Sequence, residues 1–465
     1  MNDQWDVVVA GGGNAALVSA MAATDAGARV LLVERAPVVF RGGNSRHTRN
    51  VRCVHADADE FHTGAYPADE LWSDLCGVGD GPSDEELAML TVRESATVPA
   101  WMSARGARWQ PALTGTLHLG RTNRFFLGGG KALINSYYRT ASRLGITVAY
   151  DSSVEQLRFD GPRCTGLLIR STGGERWVRA GAVVAASGGF EANIDWLRRY
   201  WGDAALNYHV RGPVYNDGTV LARLFAAGAA RAGEERGFHA VAVDARSPRF
   251  DGGIATRLDS IPFGIVVNRD GRRFADEGED IWPKRYATWG RNIAGQPGQI
   301  AFALWDAKVR GQFLPPMYGA FEAPDPQGLA KQLELDPVAI AETVAAYNAG
   351  VDRGPGGRFS MAERDGLATV GLEPPKSNWA QRLDTPPYYG VPMRPGITFT
   401  YLGVGVDEHA RVRRADGGTF DNVYAAGEIM SGNILSTGYL AGFGMTIGTV
   451  WGRIAGRQAA RHAHG

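Results

Sequence analysis

Asp6-Val7-Val8-Val9-Ala10-Gly11-Gly12-Gly13-Asn14-Ala15-Ala16 is the stretch whose reading decides the fold. After Asp6 it runs without a polar interruption up to the glycines, as a strand buried on both faces of a parallel sheet requires. Residues 15–26 are rich in Ala and Leu and read as a helix that stops at Gly27. Residues 29–34 (Arg-Val-Leu-Leu-Val-Glu) form a second apolar run, so the chain opens on a strand–helix–strand unit. The spacing Gly11-x-Gly13-x-x-Ala16 falls on the turn between strand and helix. The first glycine permits the tight turn, and the second lets backbone N–H groups approach a pyrophosphate. The small third residue lets the helix close on the strand, and the helix N-terminus favours negative charge. Glu34, at the end of the second strand, is placed to accept ribose hydroxyls. A glycine-rich turn alone is a weak signal, but strand, helix and acid in register predict a dinucleotide site. Its expected contacts are Gly11, Gly13, Asn14, Ala15, Ala16, Glu34 and Arg35.

Working outward, residues 133–144 read as a helix ending at Gly145, followed by a strand at 146–149. Residues 153–178 alternate as an antiparallel meander does, and 182–186 return to a buried strand. Residues 219–227 read as a helix ending at Gly228. From about Gly237 to Pro387 the character changes, with more proline, more tryptophan and long irregular stretches. This segment is expected to be an inserted domain, with a strand at 264–268, a turn at Asp270-Gly271 and a helix at 337–347. A strand at 423–426 and a helix at 445–460 then resume the first pattern. The prediction is an α/β protein with domain segments 1–236, 237–387 and 388–465.

Composition narrows the function classes. Lys plus Arg and Asp plus Glu are 49 each, giving zero formal net charge. Nothing in that balance draws the chain to nucleic acid or an anionic membrane surface, so anion binding must come from local arginine clusters. Cys53, Cys76 and Cys164 lie far apart and form no CxxC pair, which excludes an internal iron–sulfur ligand set and a disulfide framework. The apolar run near the N-terminus lacks a basic flank and is broken by Gly11-Gly12-Gly13, so it is read as neither a signal peptide nor a membrane span. The chain is expected to be cytoplasmic, without direct membrane insertion and without a nucleic-acid partner.

Three further stretches give the dinucleotide site its company: Arg41-Gly42-Gly43-Asn44-Ser45, Ala185-Ala186-Ser187-Gly188-Gly189-Phe190, and Tyr424-Ala425-Ala426-Gly427-Glu428. Together they resemble the glutathione-reductase-like (Rossmann-type) FAD-binding fold of the fumarate reductase/succinate dehydrogenase flavoprotein family, with an inserted α+β capping domain. The resemblance spans nearly the whole chain, and no second GxGxxG is present for a nicotinamide cofactor. It implies non-covalent FAD held by Arg41, Gly42, Gly43, Asn44, Ser45, Ser187, Gly188 and Gly427, with Glu428 near the ribityl chain. It also implies that the start of the last helix, with Leu440, Gly442, Gly444 and Met445, faces the flavin.

Asn268-Arg269-Asp270-Gly271-Arg272-Arg273-Phe274-Ala275-Asp276-Glu277 resembles that family's cap signature. The arginine that donates a proton in fumarate reductases would fall on Ile281, with Lys284, Arg285 and Tyr286 close by. The C-terminal substrate arginine is also missing, since Thr437-Gly438-Tyr439-Leu440-Ala441-Gly442 stands there. The pattern is most similar to tricarballylate dehydrogenases, which oxidise a saturated tricarboxylate and pass electrons to a separate iron–sulfur membrane protein. Gly-Tyr-x-x-Gly at Tyr439 is also similar to 3-ketosteroid dehydrogenases.

A flavin dehydrogenase needs a proton acceptor for the acidic C–H, an open path for hydride, and cations or donors on the adjoining carboxylate. Tyr439 is the expected donor or base, with Arg285 and Tyr286 as relay candidates. Arg46, His47 and Arg49 form a cationic run suited to carboxylates. His47 is similar to the histidine that tethers FAD in succinate dehydrogenases, but out of register. His239 resembles a cap histidine that binds a substrate carboxylate, and Thr256-Arg257 stand where the family has Thr-Glu. His118, Arg121 and Asn123 are weaker candidates. None of these has metal-ligand spacing, so no metal is expected. The expected function is desaturation of a small anionic polycarboxylate, with an iron–sulfur membrane electron-transfer protein or a quinone as separate acceptor. The alternatives are a ketone or 3-ketosteroid-type dehydrogenase, and a flavoprotein subunit of an electron-transfer or cofactor-biosynthesis complex.

Overall fold

The computed structural model describes residues 4–111 and 119–465; His118 lies outside the described residues. Strand β1 (Gln4–Ala10), helix α1 (Asn14–Asp25) and β2 (Val30–Val33) realise the opening unit. The run from Val7 to Ala10 is buried throughout, because both faces of β1 are covered. Helix α2 (Gly129–Arg143) leads into β3 (Thr147–Ala149), which pairs parallel to β2. The expected meander is β4 (Ser153–Asp160), β5 (Arg163–Ser171) and β6 (Gly174–Ala185). Its third strand is long enough to leave the meander and enter the main sheet, where it pairs parallel to β1.

A second sheet is built on the inserted segment. It contains β7 (Phe238–Asp244), β8 (Ile265–Asn268), β9 (Ala301–Asp306) and the long β10 (Tyr388–Thr400). Strand β10 pairs antiparallel with β7 along one half and with β9 along the other, and β8 lies outside β9. The expected return at residue 388 therefore opens on a strand that belongs to this second sheet as far as Thr400. The chain then adds β11 (Arg411–Arg413) and β12 (Thr419–Ala425) to the main sheet and ends on α3 (Phe443–Ala463).

The main sheet runs β11-β12-β6-β1-β2-β3, parallel from β12 to β3. Strand β1 has an early strand on one side and a late one on the other, so strand order reverses there. Ligands of open α/β sheets bind at such a point, beyond the carboxyl ends of the strands. Gly11 (φ +125°) ends β1 there, and a Cβ on it would lie 2.2 Å from the Ala186 carbonyl oxygen at the end of β6.

Helices α1 and α3 lie against each other through glycines. A Cβ at Gly452 would stand 2.9 Å from the Ala15 carbonyl oxygen, and one at Gly456 2.3 Å from that of Ser19. The stripe Gly448, Gly452, Gly456 lets two backbones approach where side chains would hold them apart. Asn14 fastens the two N-terminal ends, its Nδ2 donating to the Met445 carbonyl at 3.2 Å and to Thr449 Oγ1 at 3.0 Å. Both helix N-termini consequently open on one cleft.

Candidate active site

That cleft runs from the β1 turn to the second sheet and holds about 1490 Å³ of empty space, part of it open to solvent. At one end it is lined by Gly11, Gly13, Asn14, Ala15, Glu34 and Arg35. Glu34 is buried, and its carboxylate accepts the Ala36 N–H at 2.9 Å, the Gly42 N–H at 3.1 Å and the Tyr138 hydroxyl at 3.2 Å. Burial raises its pKa and these donors oppose the rise. Arg35 is held by Asp217 at 2.5 Å. Ala16 is fully buried behind the turn, as the packing role of the third motif position demands.

The middle of the cleft is lined by Gly43, Asn44, Ser45, Ser187, Gly188, Gly427 and Glu428. Ser45 Oγ accepts the Asn14 N–H at 3.0 Å, which ties this turn to the start of α1. Buried polar atoms without a partner among the described residues cluster here: Asn14 Oδ1, Asn44 Oδ1 and Ser187 Oγ. Orphaned buried donors and acceptors are costly and rare, so their concentration along one wall fits a polar ligand. Arg41, Gly42 and Leu440 do not line the cleft. Arg41 donates to Tyr150 Oη at 2.8 Å and to Asn135 Oδ1 at 3.2 Å and lies over the Tyr138 ring, so it braces α2. Gly42 contributes its N–H to Glu34, and Leu440 is core.

The far end combines aromatic and cationic side chains from both sheets. His239 (β7), Tyr286, Arg257, Arg49 and Tyr439 line it together with Gly442, Gly444 and Met445 at the start of α3. Tyr439 packs against the cores of both sheets. The His239 and Tyr439 rings stack, with centroids 3.9 Å apart and planes 7° from parallel. The Tyr439 hydroxyl accepts the Gly444 N–H at 3.1 Å, and burial raises its pKa. Tyr286 stands edge-on to His239 at 5.6 Å, beneath the Arg257 guanidinium. Burial, with Arg211 and Arg257 nearby, holds His239 well below the usual imidazole range, so it is neutral, and its Nδ1 has no partner among the described residues.

Arg257 is paired with Asp259 at 2.7 Å, and Trp282 Nε1 donates to the same carboxylate at 2.8 Å. Two other guanidiniums are not paired. Among the described residues no hydrogen bond or ion pair reaches the guanidinium of Arg49 or Arg211, and Arg49 Nη2 and Arg211 Nε are buried without a partner. Burial pushes Arg49 down to about 9 and Arg211 to about 10, Arg257 adding to both. Arg211 was missed by sequence reasoning. It stands in an irregular stretch with no motif around it, and only its burial without a counter-charge reveals it.

Four expected catalytic candidates lie away from the cleft lining. His47 Nε2 pairs with Asp251 at 2.5 Å, and Arg46 lies over the Phe40 ring at 5.5 Å. Arg46 and His47 sit in the 3₁₀ turn Gly43–His47 and do not line the cleft, whereas Arg49 just after it does. Arg285 pairs with Glu279 at 3.1 Å, and the Thr256 hydroxyl donates to the Gly253 carbonyl at 3.0 Å. Of the weaker candidates, Arg121 is engaged by Glu70, and buried Asn123 donates to the Ala441 carbonyl at 2.7 Å. A cluster that spacing did not flag joins Cys53, His55 and His62, whose ligand-type atoms lie within 4.8 Å of one another. Both His55 nitrogens face carbonyl oxygens at 2.9 Å, and its ring is stacked on His62, an arrangement that fits packing rather than ligation.

Residues 6–444 match the model of the FAD-binding domain family, and the chain belongs to that family. FAD is its cofactor, and it is an FAD-dependent oxidoreductase. Among curated proteins it is 27% identical over 475 residues to the fumarate reductase (cytochrome) of Shewanella frigidimarina, covering 99% of this chain and 78% of that one. It is also 27% identical over 365 residues to the 4-oxocyclohexanecarboxylate 2-dehydrogenase of Sinomonas cyclohexanicum, covering 72% and 62%. The solved open conformation of a flavocytochrome c3 fumarate reductase superposes with a TM-score of 0.76 at 24% identity, over 99% of this chain and 78% of that one. The motif resemblance to the fumarate reductase/succinate dehydrogenase flavoproteins and the α/β fold with a capping sheet are thus shared by relatives and structure alike. Among the described residues no helix is long and apolar enough to cross a membrane.

Proposed function

We propose that this chain is a desaturase that oxidises a CH–CH bond next to a carboxylate in a small polycarboxylate such as tricarballylate. The observation that carries the reading is the pair of unpartnered guanidiniums, Arg49 and Arg211, facing the same end of the cleft as Tyr439. A buried cation without a bonded partner is expensive, Asp259 offsets Arg49 only from a distance, and an anionic substrate would supply the missing partner. Residues 1–236 and 388–465 are taken as the FAD-binding part, with strand 388–400 lent to the second sheet, and 237–387 as the cap that brings His239, Arg257 and Tyr286.

FAD, when bound, supplies the hydride acceptor for one C–H. The protein handles the other hydrogen as a proton. Arg49 and Arg211 grip a carboxylate and spread the negative charge that develops beside it, which makes the adjacent C–H more acidic. Tyr439, with Tyr286 close by, takes that proton as its phenolate, a form that burial opposes and the Arg211 charge favours, and ends the step as the neutral phenol. The stacked neutral His239 fixes the Tyr439 ring without adding a competing charge. Binding is non-covalent, a reading supported by His47 being occupied by Asp251. A separate acceptor, an iron–sulfur membrane protein or a quinone, takes the electrons onward. Three unpaired thiols suit a reducing compartment, the cytoplasm.

The test is anaerobic mixing of the yellow holoprotein with a panel of di- and tricarboxylates while flavin absorbance is followed. Bleaching by a saturated polycarboxylate is expected; a flavin that stays oxidised with every member refutes the substrate class. A second reading is favoured by the aromatic group Tyr439, His239 and Tyr286 together with the 4-oxocyclohexanecarboxylate 2-dehydrogenase relative. There the arginines hold one carboxylate while Tyr439 polarises a ketone. Bleaching by a cyclic keto acid and by no polycarboxylate selects it.

A further inference from the structure

Behind the cleft wall lies a buried acid that no motif flagged. Glu191 is 0% exposed, stands two residues past Gly189, and does not line the cleft. Its Oε1 accepts from the side-chain amides of Asn44 and Asn216, the latter at 2.8 Å. Asn44 also donates to the Thr398 carbonyl at 2.6 Å. On its other side Glu191 meets Glu428, whose Oε1 accepts the Thr400 N–H at 2.9 Å. Both acids crowd one face of Gly189, where a Cβ would lie 2.3 Å from Glu428 Oε1 and 3.0 Å from Glu191 Oε2. One hidden carboxyl thus ties together Asn44, Asn216 and Glu428, all three of which do line the cleft.

Ionised carboxylates are acceptors only. If both acids were charged, Glu191 Oε2 would be buried with no donor, and it has none among the described residues. A single proton between the two removes the defect and turns a repulsive contact into a hydrogen bond. The titratable groups that face the pair are each other and Tyr439; no cation among the described residues bonds to either acid. We propose that Glu191 is a positioning residue of the cofactor cleft, and that it shares one proton with Glu428 to hold Glu428, Asn44 and Asn216 in their FAD-binding arrangement. Burial raises both acids and the neighbouring Glu191 raises Glu428 further, in keeping with retention of that proton at neutral pH.

The linkage has a definite sign. A raised pKa means the arrangement is complete at neutral pH and is lost as rising pH strips the shared proton and leaves two charges face to face. FAD affinity should therefore weaken on the alkaline side. The proposal concerns FAD alone, so it stands or falls independently of which substrate is oxidised. Apoprotein is titrated with FAD by fluorescence quenching from about pH 6 to about pH 9.5, for wild type, Glu191→Gln and Glu428→Gln. The wild-type Kd should rise at the alkaline end with a slope approaching tenfold per pH unit, the limit for one proton. Each glutamine variant, with one acid removed, should lose that slope whatever its absolute Kd. In infrared difference spectra a protonated-carboxyl band present in wild type should vanish in Glu191→Gln. A wild-type Kd that is flat with pH, or variants that keep the wild-type slope, would overturn the proposal. If Glu191→Gln fails to fold, Glu428→Gln decides by the same slope.

Discussion

Replacing Arg211 with methionine should move stability and substrate binding in opposite directions. Burial pushes the Arg211 pKa down to about 10, and among the described residues no carboxylate compensates. Each tenfold change in that proton equilibrium is worth ~1.4 kcal/mol, so the charged form carries a penalty of ~3 kcal/mol. Because the folded pKa is depressed, the penalty applies at every pH below about 10 and is relieved only above it. Methionine removes the charge and keeps much of the side-chain length, although it fills the space imperfectly. A net gain of ~1–2 kcal/mol in substrate-free stability is the expected balance. The same change removes charge-assisted hydrogen bonds worth ~1.5–3 kcal/mol to a bound carboxylate, so KM for the polycarboxylate should rise about tenfold to a hundredfold. Urea unfolding of ligand-free protein measures the first effect and anaerobic flavin reduction across substrate concentrations the second. A variant that unfolds more easily and binds substrate unchanged would refute the reasoning, because Arg211 would then be a structural cation with a partner.

Tyr439→Phe should keep the flavin absorbance and the ring stack on His239 while kcat falls ~10²–10⁴-fold, the usual worth of a positioned proton-transfer group; unchanged turnover would remove Tyr439 from the chemistry. Lys376 offers a pH test outside the cleft. It is fully buried, with Nζ donating to the carbonyls of Pro262 at 2.9 Å and Gly264 at 2.6 Å, and burial lowers its pKa to about 8. A depressed lysine makes the unfolded chain bind more protons than the folded one above about pH 8, so its contribution to stability should rise with pH until the unfolded lysine also titrates, near pH ~10.4. Lys376→Met should flatten that rise in urea midpoints, and a variant with the wild-type slope would contradict it.

The sequence by itself determined the cofactor end of the molecule. A buried parallel strand, a glycine turn and a helix N-terminus are local features, each written in neighbouring residues, and their chemistry follows from the backbone. Thus Gly11, Gly13, Asn14 and Glu34 were legible from their neighbours, Ser187 and Glu428 through the family resemblance, and all line the cleft. The substrate end was only half legible. Arg49, His239, Arg257, Tyr286 and Tyr439 were expected and converge, yet Arg46 and His47, of the same basic run and within a 3₁₀ turn, do not line the cleft. Residue type does not encode direction, and one turn of backbone changes which side chain faces the cavity. Arg211 and Glu191 carry no motif at all. What marks them is burial together with a missing partner, a property of many contacts made by residues far apart in the chain. Only the tertiary structure decides whether a charge is left uncompensated, because only folding removes the water that would otherwise compensate it.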